Sequence, residues 1–194
     1  MKKIIVPTIA LYALLAVANP ALAHTGHSME GAAAGFLHPF LGLDHLSVMA
    51  CVGVWAALNP GLRAVVALLG FPVFMLAGAL VALAGWGFST VETVVAVSVV
   101  FMGFALRSED RAASRMVTLL IPLFALSHGY AHGAELSQAA SPWLYALGFV
   151  SATVVLHGTG YAAGACLYRN GGLRWVRVSG MLTGLFGAWL LWAA

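Results

Sequence analysis

The chain has 194 residues, of which 62% are hydrophobic and 8% charged, with a mean hydropathy of +0.96 and a formal net charge of +3. Soluble globular domains carry about a quarter charged residues, so this composition excludes that class and indicates an integral membrane protein with lipid as its main partner. The positive charge implies no nucleic acid as partner, because the basic residues stand singly in short gaps between apolar runs and form no stripe.

The chain opens on MKKIIVPTIALYALLAVANPALAHTG, which has the three parts of a secretory signal. Lys2 and Lys3 form a charged start, Ile4 to Val17 an apolar middle, and Ala21-Leu22-Ala23 a small-residue cleavage site. Pro20 and the triplet suit a peptidase better than a helix running on, so residues 1–23 are expected to be removed and the mature chain to begin at His24. An uncleaved first transmembrane helix is the alternative.

Six apolar runs follow: Ala32 to Leu58, Leu62 to Trp86, Val91 to Leu106, Met116 to Leu136, Trp143 to Tyr168 and Trp175 to Trp192. Each is near the length of about 17 to 25 residues that a bilayer requires. The expected fold class is therefore all-α, an integral membrane bundle of six transmembrane helices after a cleaved signal peptide. Residues 24–194 form its single domain, with no gap long enough for a further domain and no Walker-type phosphate loop. Arg63 lies in the first gap, Arg107, Arg111 and Arg115 in or at the third, and Arg169, Arg174 and Arg177 at the fifth, while the second and fourth have no Lys or Arg. If positive gaps are cytoplasmic, both mature termini are periplasmic and the protein sits in a bacterial inner membrane.

Two of these spans carry unexpected polar groups. FLHPFLGLDHLSVMA in the first contains His38, Asp44 and His45, and LFALSHGYAHGAE in the fourth contains His128, His132 and Glu135. Ionisable groups in hydrocarbon are costly unless they face the bundle interior and find partners. At about 100° per residue His128, His132 and Glu135 share one helical stripe, and His38 and His45 superpose within about 20°. Asp44 points about 100° away from His45 unless Pro39 and Gly42 bend or unwind the helix. Counted at about 1.5 Å per residue from the outer ends, His38 lies near 9 Å and Asp44 and His45 near 19 Å. On the antiparallel fourth span Glu135 lies near 2 Å, His132 near 6 Å and His128 near 12 Å, so the two clusters overlap only coarsely in depth.

Imidazoles and carboxylates gathered without thiolates suit first-row divalent ions, and a proton relay along the same groups stays open. A b-type haem held by paired histidines, in an electron-transfer protein, would explain the imidazoles but leaves Asp44 and Glu135 without a role. The chain lacks HExxH and GxSxG, so neither a catalytic residue nor an intramembrane hydrolase is indicated. His157, alone in the fifth span, is as readily a core residue bonded to a neighbouring helix as a deeper member of the track.

HPFLGLDH, from His38 to His45, resembles the HPxxGxDH signature of the HupE/UreJ family of nickel and cobalt permeases, and SHGYAHGAE, from Ser127 to Glu135, is similar to that family's FHAxAHGxE segment. The first match is complete; the second departs at Ser127, where the pattern has Phe, and at Gly129, where it has Ala. The resemblance extends to the signal segment and the short loops. It implies secondary uptake of Ni²⁺ or Co²⁺ as transported substrate, with no resident cofactor, through His38, Asp44, His45, His128, His132 and Glu135. Lesser features have plainer expectations. His24 and His27 form a solvated tail able to chelate, Met49 packs in the core, and Glu92 is a solvated acid at a helix start. Gly158, Gly160 and Gly164 serve helix packing, and Cys51 and Cys166 are inert buried hydrophobes.

Overall fold

A chain in lipid must satisfy its backbone N–H and C=O groups internally, and among the described residues this one does so with helices alone. The computed structural model describes residues 31–136 and 141–193, with the backbone alone for residues 134–136. The signal segment, His24, His27 and the start of the mature chain lie outside the described residues, as does the Glu135 side chain. The helices are α1 (Ala32–Leu41), α2 (Leu43–Leu58), α3 (Leu62–Leu83), α4 (Val91–Ala105), α5 (Arg111–Leu136), α6 (Pro142–Arg169) and α7 (Leu173–Ala193).

Four of them, α3, α5, α6 and α7, are long and apolar enough to cross a membrane, and α1 with α2 makes a fifth span if the bent pair is counted as one. The 15 residues of α4 are apolar but, at about 1.5 Å each, fall short of a hydrocarbon core of about 30 Å. The largest departure from the sequence reading is in the first span, where α1 and α2 meet at 85° in place of one continuous helix from Ala32 to Leu58. Gly42 is extended, at φ −85° and ψ 108°, and its N–H bonds to the His38 carbonyl at 3.3 Å, closing the last turn of α1. At the other end of the bundle α5 begins at Arg111, before the apolar run, because the Asp110 carboxylate accepts the Ala112 N–H at 3.1 Å and caps the helix.

Small residues let the helices approach closely, as is common where lipid removes the hydrophobic drive for association. A Cβ on Gly129 of α5 would stand 1.7 Å from the Met75 carbonyl oxygen of α3, and one on Gly160 of α6 would stand 2.2 Å from the Ala50 carbonyl of α2. Gly164 also abuts α2, whereas Gly158 has nothing within 4 Å and takes no part in this packing. Large side chains are turned outward: Trp86, Trp143 and Trp192 are 74%, 78% and 84% exposed. All three fall at the end of the bundle opposite the arginine-bearing gaps, the arrangement of an interfacial aromatic belt.

Candidate metal centre

The site begins with the break at Gly42. Because α2 starts immediately after it, Asp44 and His45 occupy the first turn of a helix, where a carboxylate is favoured by the helix dipole. One Asp44 oxygen accepts the backbone N–H of His45 at 2.8 Å and lies 2.7 Å from His45 Nδ1. A carboxylate facing a ring nitrogen accepts, so Nδ1 carries the proton and Nε2 presents its lone pair. His128 is fixed in the same way: its Nδ1 lies 2.9 Å from the Phe124 carbonyl, which can only accept. In both residues Nε2 is buried without a hydrogen-bond partner. Such an orphan costs about 1–3 kcal/mol, so two of them on neighbouring rings mark the cluster as a strong polar demand inside the apolar bundle.

His132 completes the cluster one turn beyond His128. Its ring centroid is 4.3 Å from that of His45 and 4.5 Å from that of His38, and His45 and His128 are 4.9 Å apart. The bend corrects the depth count. His38 and His45, about 10 Å apart in depth on a continuous helix, have ring centroids 6.3 Å apart, and His132 meets both instead of lying above them. Asp44 turns back onto its own neighbour, so in this arrangement it stands behind His45 and outside the ring cluster. Glu135 lies at the end of α5, with only its backbone described.

As placed, no group of three or more His, Cys, Asp or Glu side chains among the described residues is arranged to hold a metal ion. The rings meet edge to face, at 63° to 77°, and a shared ion requires them to rotate. The same edge contacts leave no slot for a porphyrin between paired imidazoles and lend the haem alternative no support.

Aromatic rings that sequence reasoning passed over wall the cluster. Phe149 lies 4.6 Å from His132, and Phe71 lies 5.7 Å from His128. An apolar run full of phenylalanines carries no signal that singles out these two. His157 stands apart from the four histidines, on the far side of Phe71, at 5.2 Å from its ring. Met49 is fully buried, as expected, with its sulfur 3.6 Å from the Thr153 hydroxyl oxygen. Cys51 is buried against Thr183, but Cys166 is exposed, which corrects its reading as a buried hydrophobe. Glu92 is exposed in the first turn of α4, the position read for it.

The fold and this cluster define a polytopic helical membrane protein with histidines from two distant segments gathered inside its bundle. Residues 12–190 match the model of the family described as HupE / UreJ protein. The chain is also 33% identical over 187 residues to Protein HupE of Rhizobium leguminosarum bv. viciae, covering 96% of each chain. It belongs to the HupE/UreJ family. No solved structure matches it.

Proposed function

We propose that the protein is a secondary permease, not an enzyme, that takes up Ni²⁺ or Co²⁺ across the bacterial inner membrane through its intramembrane histidine and carboxylate groups. Membership of a family associated with nickel and cobalt transport supports the substrate class. The observation that carries the reading is the contact of His45 and His38 with His128 and His132, which approach from segments more than eighty residues apart inside an apolar bundle. Neutral imidazoles bind first-row dications, and the Asp44 and Glu135 carboxylates offset the ion's charge.

In this reading the chain crosses the membrane six times after losing residues 1–23, with α1 and α2 as one broken span and α4 as the shortest. Discontinuous helices at a central site are a recurrent device of secondary transporters. Both mature termini are periplasmic, so the ion enters beside His38 and His132 and leaves toward the arginine-bearing end. Uptake of radiolabelled nickel or cobalt by proteoliposomes containing only this chain tests the proposal. Saturable accumulation is expected, and its absence in correctly inserted protein would overturn the permease reading.

A further inference from the structure

His157 is the buried histidine that the three-helix cluster does not use. It is 2% exposed in the middle of α6, and beyond the Leu68 carbonyl that faces the ring it has no hydrogen-bond partner. At least one ring nitrogen is therefore left without a partner, and such an orphan in an apolar interior costs about 1–3 kcal/mol. What faces it is unusual as well. Pro72 supplies no N–H to the turn before it, and that turn, Val66–Gly70, is widened into a π-helix with the Leu68 carbonyl turned toward His157. Helical backbone whose carbonyl is released from its ladder becomes a donor available to a cation.

The space between His128 and His157 is also equipped. The Phe71 ring touches both, at 5.7 Å and 5.2 Å. Beside it Thr153, one helical turn before His157, donates its hydroxyl to the Phe149 carbonyl at 2.9 Å, and the thioethers of Met49 and Met75 lie against that oxygen at 3.6 Å and 3.8 Å. Met49 is itself one turn beyond His45, and Met75 one turn beyond Phe71. Sulfur and imidazole donors therefore continue from the cluster toward the arginine-bearing end, with the Phe71 ring in contact with a histidine at either end of this stretch. Thioether and imidazole suit borderline and soft transition ions.

We propose that His157 forms a second, inner station for the transported dication, with the Leu68 carbonyl beside it and Phe71 as the partition that separates it from the outer histidine cluster. This rests on the permease reading. An ion held at one station has to pass the Phe71 ring to reach the other, so the two are occupied in sequence during transport.

Nickel binding to the purified full-length chain in lipid nanodiscs, together with nickel uptake in proteoliposomes, separates the two ideas. The wild type should bind a second Ni²⁺ after the first. His157→Leu should bind one ion fewer and lose uptake by about tenfold or more, the scale of a lost ligand-shell group. His157→Cys, which restores a metal-binding atom, should recover both in part. Wild-type uptake and unchanged stoichiometry in His157→Leu would overturn the inner station while leaving the permease reading intact, and so would equal losses in the Leu and Cys variants. Failure of the wild type to bind or transport nickel would remove both. Should neither variant insert, exchange of the His157 C2 proton in the wild type decides: slowing by Ni²⁺ supports the station, and an unchanged rate overturns it.

Discussion

At the scale of single residues, the ring nitrogens assign distinct tasks to groups that look equivalent in the sequence. His45 and His128 each have Nδ1 engaged and Nε2 buried without a hydrogen-bond partner. Replacing either by Ala should abolish uptake of nickel or cobalt with the protein still in the membrane fraction. Cys51→Ala, which loses one weak contact to Thr183, should leave transport near normal. Full uptake by a well-inserted His45→Ala or His128→Ala variant would contradict the site. Asp44 differs because its carboxylate is engaged by His45. Asp44→Asn keeps the shape but removes the charge that holds the His45 tautomer, and second-shell losses of this kind weaken metal affinity by about 10–100-fold. Cobalt titration of the purified variant measures this, and a complete loss matching His45→Ala would place the carboxylate on the ion directly. The choice between ligand and supporting group was not legible in HPFLGLDH. The motif puts Asp44 and His45 in sequence contact, but only the turn after Gly42 folds one onto the other.

At the scale of elements, the helices and their ends followed hydropathy closely, and the bend did not. A run from Ala32 to Leu58 is apolar enough to read as one helix, and one proline or glycine within a span is ordinary in membrane proteins. The break depends on what surrounds Gly42. A Cβ there would lie 3.0 Å from both Asp44 Oδ1 and His45 Nδ1, so the paired side chains occupy the space a larger residue needs. Gly42→Ala has an accessible backbone conformation but must push this pair aside. We expect a stable protein with uptake reduced about tenfold or more, checked by expression level beside transport rate. The close approach at Gly129 shows the same dependence on packing. Alanine there would drive its Cβ into the Met75 carbonyl, so α3 and α5 could not keep their present separation. Gly129→Ala should therefore destabilise the bundle by about 1–3 kcal/mol or more, visible as a lowered thermal midpoint in detergent. An unchanged midpoint would show that the two helices slide apart without cost. What Gly129 makes room for lies on α3, a helix whose pairing with α5 no local motif reports.

Across the whole molecule, the arginine-bearing end, the tryptophan belt and the inward histidines define a direction, and direction matters because the proposed cargo carries two charges. The chain has no phosphate-binding loop, so a gradient must supply the driving force. Moving one elementary charge through 100 mV is worth about 2.3 kcal/mol, so an inside-negative membrane favours entry of a dication by about 4.6 kcal/mol. At about 1.4 kcal/mol per tenfold step, that sustains more than a thousandfold accumulation without a coupling ion. The buried histidines set the opposing limit. Only neutral imidazole ligates, so protons and metal compete for the same nitrogens: binding is fully available at higher pH and is lost as pH falls. An inside-negative potassium–valinomycin potential should stimulate uptake into oriented proteoliposomes. Lowering the external pH should inhibit it as the buried imidazoles take up protons, with the metal concentration for half-maximal uptake rising before the maximal rate falls. If potential has no effect and an outward proton gradient drives accumulation, the same histidines exchange protons for metal, and uniport is the wrong mechanism for this chain.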